Sequence, residues 1–76
     1  MPSLTSISWK KFEKFLIFIG CDFKRQKGDH RIYWRDGLKR PIVIPCEKNL
    51  AIFIIRNNLR TLSISHDKYL DILKRI

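Results

Sequence analysis

Phe23-Lys24-Arg25-Gln26-Lys27-Gly28-Asp29-His30-Arg31-Ile32-Tyr33-Trp34-Arg35-Asp36-Gly37 is the stretch where the pattern of the chain changes. Before it, apolar residues recur at helical spacing. Within it the period falls to about two, as extended strands require, because successive side chains point to opposite faces. Gly28 and the pair Asp36-Gly37 interrupt the alternation, and Ile42-Val43-Ile44 follows before Pro45. Three short strands in a meander are therefore predicted between residues 23 and 44. The Asp-Gly pair is the clearest hairpin signal, since tight turns need positive φ angles that these residues tolerate. In strict alternation the second strand, residues 30–35, puts His30, Ile32 and Trp34 on one face and Arg31, Tyr33 and Arg35 on the other, a half-buried, half-basic pattern.

Toward the N-terminus, Trp9, Phe12, Leu16 and Ile19 stand at offsets 0, 3, 7 and 10, one face of a helix over residues 9–19, with Lys10, Lys11, Glu13 and Lys14 mostly on the other face. Ser8 is a natural N-cap and Gly20 stands where a helix ends in a left-handed residue. Toward the C-terminus, Ile52-Phe53-Ile54-Ile55 has the β-branched content of a strand. The spacing of Ile52, Ile55, Leu59 and Leu62 favours a helix, with Asn49 able to cap it. A last short helix carries Tyr69, Leu70, Ile72, Leu73 and Ile76, with Ser65 as cap and Asp67 in its first turn. The order helix, three strands, helix, short helix is an α+β arrangement in which helices cover one face of a small antiparallel sheet and leave the other free.

At 76 residues the chain has room for one small domain, read as residues 1–76, and none for a cofactor domain beside a catalytic one. Nine aromatics and many Ile and Leu residues are enough for a folded core despite a net charge of +9. The longest apolar runs, residues 15–19 and 50–55, are far short of the roughly 20 residues of a membrane helix. The N-terminus lacks the pattern of a secretory signal, so a cytoplasmic location is expected, with Cys21 and Cys46 as reduced thiols. Positions 21, 30, 46 and 66 of the cysteines and histidines match no paired spacing of a zinc site, so neither metal nor cofactor is expected, and nothing around Cys46 resembles a cysteine protease. His66, at the start of the last helix, reads as an ordinary surface residue.

Charge is concentrated in the strands. Residues 24–40 hold Lys24, Arg25, Lys27, Arg31, Arg35, Lys39 and Arg40 against Asp29 and Asp36, which is +5 of the total +9. Cations on a compact meander can track a phosphate backbone, and Tyr33 and Trp34 among them offer stacking surfaces. The bland alternative is a solvated sheet face with Trp34 in the core. Within the patch, the Gly28 turn delivers His30 to the start of a strand. Histidine exchanges protons near neutral pH, and nearby cations stabilise charge growing on a phosphate oxygen, which together are the parts for cutting RNA without a metal.

The helix ending before Gly20, then Phe23, Arg25-Gln26-Lys27-Gly28-Asp29-His30, Ile32-Tyr33, Asp36-Gly37 and the Ile44-Pro45 exit resemble the HicA family of toxins, the mRNA-cleaving halves of toxin–antitoxin pairs. Ile55, Arg56, Leu59, Leu62, Ile64-Ser65 and Tyr69-Leu70-Asp71-Ile72-Leu73 are similar to that family's closing helices, so the likeness runs from about Trp9 to Leu73. The resemblance implies a double-stranded-RNA-binding-domain-like fold, an endoribonuclease that arrests growth, His30 as catalytic histidine and Gly28 as turn glycine. It also implies mRNA and a HicB-like antitoxin, covering the site around His30, as partners. Lys24, Arg25, Lys27, Gly28, Arg31 and Arg35 are the expected RNA contacts. The chain departs from the family pattern at three places: Asp29 where serine is common, Cys46-Glu47 where a second histidine is frequent, and Phe53-Ile54 in place of Gly-Thr. Asp29 could orient and charge the imidazole or repel phosphate, and Glu47, Asp29 and Lys27 are candidates for a second catalytic group. The rival reading from another class is a non-catalytic RNA-binding module on the same basic sheet, and a third reading gives the patch to an acidic protein.

Overall fold

The computed structural model describes residues 4–76, in the order α1 (Trp9–Phe18), β1 (Asp22–Lys27), β2 (His30–Trp34), β3 (Ile42–Pro45), α2 (Ile52–Leu62) and α3 (His66–Leu73). The strands form one antiparallel sheet in the order β1-β2-β3. This is the expected α+β order, consistent with a double-stranded-RNA-binding-domain-like arrangement.

Local chemistry sets the helix ends. Ser8 accepts the Lys11 N–H and Ser65 the Lys68 N–H through their hydroxyls, each satisfying one of the free donors of a first turn. Asn49, able on its sequence position to cap α2, does not do so; the N-cap is Ala51, with no side-chain bond. The reason lies one residue earlier. Leu50 is fully buried, its N–H donates to Ile7 O and its carbonyl accepts from the Ser6 hydroxyl, so the chain is held extended there and can coil only afterwards.

The core comprises Phe12, Phe15 and Leu16 of α1, Tyr33, Ile42 and Ile44 of the sheet, Ile55, Leu59 and Leu62 of α2, and Tyr69 and Ile72 of α3, with Cys21, Leu38 and Leu50. At its centre Phe15 meets Tyr69 edge-on at 4.8 Å and Phe12 in a tilted contact at 5.4 Å, geometries that ring quadrupoles favour. Cys21 is buried, Cys46 half-buried, and both are free thiols.

Two expectations about the strands are corrected, and the pairing adds a feature that the sequence pattern does not address. Asp36-Gly37 does not join two strands directly. It forms a turn closed by Leu38 N–H to Arg35 O, with Gly37 at φ 93°, inside a longer connection that returns Leu38 to the core. The tight hairpin is Gly28-Asp29, between the paired residues Lys27 and His30. The buried and open faces of β2 are also reversed. Tyr33 is fully buried and shares the helix-facing side with Arg31, while Ile32 and Trp34 on the other side are only half-buried. A tyrosine can be buried there because a carboxylate from α1 meets its hydroxyl. Finally, the β1–β2 register shifts between Phe23 and Arg25, a bulge at Lys24. Phe23 thus joins Tyr33 on the helix side while Arg25 and Lys27 pair with Ile32 and His30 on the open side.

Candidate nucleic-acid interface

The Gly28-Asp29 turn builds the site. Gly28 has φ 61°, the left-handed value that the first position of a two-residue II′ turn demands and that glycine adopts without steric cost. A Cβ there would meet nothing within 4 Å, so backbone conformation, not crowding, makes the position suit glycine. The turn is tied at two further points. The Gln26 side-chain amide donates to Gly28 O at 3.0 Å, and Cys46 N–H donates to Asp29 O at 2.8 Å. The second bond locks the turn to the exit of β3.

From this turn His30 projects at the end of the sheet, its side chain 55% exposed. Its Nδ1 lies 3.0 Å from Asp29 Oδ1. A carboxylate at Nδ1 favours one orientation of the ring and leaves Nε2 for other partners, an arrangement found in histidines that act as general acids and bases. Of the two roles open to Asp29, the geometry contains the orienting contact. Glu47 meets the rest of the molecule through its backbone, its carbonyl accepting Trp9 N–H. Among the described residues no group of three or more His, Cys, Asp or Glu side chains converges as a metal site would.

Around His30 the open face carries Lys27 and Arg25 of β1, Ile32 and Trp34 of β2, and Val43 and Pro45 of β3, placed there by the register. Arg25, Lys27 and Val43 are exposed and Ile32, Trp34 and Pro45 half-buried, so cations border an apolar strip. Lys24, on the bulge, is also exposed.

Arg31 and Arg35 stand apart from this group. The Arg31 side chain, 18% exposed, donates to Glu13 Oε2 from both Nε (3.1 Å) and Nη2 (2.7 Å), to Tyr33 Oη at 3.0 Å and to Gln26 Oε1 at 2.9 Å. Its guanidinium lies 4.1 Å from the Phe23 ring centroid and 4.9 Å from that of Trp9. The Tyr33 hydroxyl donates to the same Glu13 oxygen. Burial pushes the Glu13 carboxyl up, but the hydrogen bonds from Tyr33 and Arg31 and the Arg31 charge outweigh it and hold its pKa below the ordinary value. Burial, with the bond to Glu13, pushes the Tyr33 hydroxyl up to about 12, so it remains a donor. Arg35 donates to Ile19 O at 3.2 Å and reaches Leu62 O at 3.5 Å, the carbonyls that close α1 and α2. A cation suits both helix ends. Sequence reasoning missed Glu13, whose signal was faint: it stands one turn after Trp9 on α1, where an acid and an aromatic can clasp one arginine.

A family model described as HicA toxin of bacterial toxin–antitoxin matches residues 9–64, from the start of α1 to beyond α2. No curated protein and no solved structure matches the chain. The matched span contains the Gly28 turn, His30 and the whole sheet. No helix among the described residues is long and apolar enough to cross a membrane.

Proposed function

The chain belongs to the HicA toxin family of bacterial toxin–antitoxin systems, and on that premise we propose that it is an endoribonuclease that cuts mRNA without a metal ion and so arrests growth. The observation that carries this reading is His30, exposed on a tied turn with Nδ1 against Asp29 and with Arg25 and Lys27 on the same face. In the proposed step the ribose 2′-oxygen attacks the adjacent phosphorus while its proton passes to a base. The bond to the 5′-oxygen breaks, and that oxygen takes a proton from an acid, leaving a 2′,3′-cyclic phosphate and a 5′-hydroxyl. His30 Nε2 serves one of these transfers, and Arg25, Lys27 and Lys24 hold the phosphates. The Gly28 turn leaves room for the backbone to reach the imidazole. Arg31 and Arg35 support the site by holding the sheet to the helices.

Membership of a toxin–antitoxin family implies an antitoxin partner. A HicB-like antitoxin that covers His30 and sets carboxylates against Arg25 and Lys27 would exclude RNA by occupying the same face. The substrate places the activity in the cytoplasm.

The test is incubation of wild type and His30→Ala with single-stranded RNA in excess EDTA, followed on a denaturing gel. One general acid–base group supplies about 10² to 10⁴ in rate, so cleavage by wild type alone is expected. Equal cleavage by both proteins removes His30 from the mechanism. If neither cuts and both bind the RNA, the sheet is a binding module without catalysis.

A further inference from the structure

At the opposite end of the sheet from His30 lies a cavity of about 420 Å³. Gly37, Lys39 and Arg40 from the β2–β3 connection line one side, and Arg60, Thr61 and Ser63 from the end of α2 the other. Three cations converge there without a carboxylate in the lining, and none of the three forms an ion pair among the described residues. Like charges gathered in one concavity disfavour the compact state, and an anion would relieve them. Two of the cations are arginines, whose forked donors match phosphate oxygens.

The backbone adds an independent sign. Ser63 has φ 58°, the only non-glycine residue with positive φ among those described. That position after a helix favours glycine, and a serine there, in the lining of the cavity, costs conformational energy. The Thr61 hydroxyl donates to Asn57 O within α2.

We infer that this cavity is a second phosphate-binding site, which takes the backbone of the same single-stranded RNA whose reacting phosphate sits at His30. The inference rests on the proposed ribonuclease reading and extends it to substrate length. His30 pairs with Pro45 at one end of the β2–β3 ladder, whereas Tyr33 pairs with Ile42 near the other. His30 to Trp34 alone spans about 13 Å of extended chain, so the two sites belong to phosphates several nucleotides apart. Long RNA engages both and a dinucleotide only the first. Lys39, Arg40 and Arg60 thus discriminate by length without touching the reacting atoms. An acidic protein segment could also seek such a charge. Exposed Lys27, Arg25 and Lys24 follow one another along β1 away from His30, with Asp22 opposite Trp34 the one carboxylate of that strand, and a line of cations leading from the first site favours a polymer with charge on every unit.

Three measurements on wild type and the double variant Arg40→Gln/Arg60→Gln decide the matter, the third being binding to polyglutamate, since both side chains belong to exposed residues and a thermal melt checks the fold. The first is kcat/KM for cleavage of a dinucleotide and of an octanucleotide. The second is the salt dependence of binding to an octanucleotide blocked at its 2′-oxygens. The variant is expected to lose about tenfold in kcat/KM on the octanucleotide and to keep the wild-type value on the dinucleotide. Its salt slope falls by about 1.4, at roughly 0.7 per lost single-strand phosphate contact. Unchanged octanucleotide kinetics and slope overturn the second site while the ribonuclease reading stands. Equal losses at both lengths show a general field effect and overturn it as well. Unchanged RNA binding with weakened binding to polyglutamate gives the cavity to an acidic protein and overturns it too. If wild type neither cleaves nor binds any of these RNAs, the ribonuclease reading itself falls, and the second site with it.

Discussion

Asp29 is the residue whose two candidate roles make opposite demands on kinetics. Its Oδ1, 3.0 Å from His30 Nδ1, is placed to steady the imidazole; its side chain, 76% exposed beside the proposed phosphate path, carries a charge that would repel substrate. Asp29→Asn retains a short side chain able to accept a hydrogen bond and removes the charge. If orientation and support of the charged imidazole dominate, kcat falls about tenfold, a fraction of the full general acid–base contribution, and KM stays within about twofold. If repulsion dominates, KM falls and kcat holds. The expected outcome is the first, read from steady-state cleavage of one RNA, with Asp29→Glu restoring part of kcat and the melting temperatures of all forms alike. The place of His30 at the start of β2, just after the Gly28 turn, was legible from residue type and turn context, whereas the role proposed for it came with the family resemblance. Asp29 could be named from sequence as a group that orients the imidazole or repels phosphate, and the choice between these was not legible, because adjacent side chains on an extended strand diverge and the contact depends on the turn conformation at Gly28-Asp29.

Among elements, α1 and β2 share the core and are also tied by the Glu13–Arg31–Tyr33 cluster. The three polar groups satisfy one another, and two aromatic faces sandwich the guanidinium. Such a set is strong while complete and costly when one member goes. Glu13→Gln weakens the bonds to Arg31 and Tyr33 and is expected to cost about 1–2 kcal/mol near pH 7, which for a domain of this size lowers Tm by roughly 4–16 °C. The Glu13 pKa lies lower in the folded than in the unfolded chain. Its stabilisation is therefore present above the ordinary value of 4.5 and is lost as pH falls below that toward the folded pKa. Melts at descending pH check this. The gap between wild type and Glu13→Gln should hold from pH 7 to about 5 and then narrow, and a gap constant down to pH 3 would remove Glu13 from the link. The same elements show where sequence reading reaches. Helical spacing found all three helices, including Ile52–Leu62 against its strand-like composition, because burial of one face recurs every three to four residues. Alternation found the strands and misjudged their faces. A single extra residue at Lys24 and a carboxylate supplied from another element decide which side of a strand is covered, and neither leaves a trace in period two.

For the molecule as a whole, +9 on 76 residues means that the compact state and the proposed ligand compete in how they respond to ions. Folding brings together cations that the unfolded chain keeps apart, so self-repulsion lowers stability and salt relieves it. RNA binding works in reverse, since each phosphate neutralised releases a counterion and added salt opposes the release. Raising salt from about 50 mM to about 200 mM should therefore increase Tm while it weakens RNA binding, about 20-fold if three phosphates are held at a slope of roughly 0.7 each. The Glu13–Arg31 pair, mostly covered, is screened little and does not offset the gain. Thermal melts and anisotropy titrations on one salt series measure both. A Tm that falls with salt would mean that exposed ion pairs, not repulsion, dominate the folded state, and an affinity that holds across the series would remove the cations of the open face and of the cavity beside the β2–β3 connection as phosphate contacts.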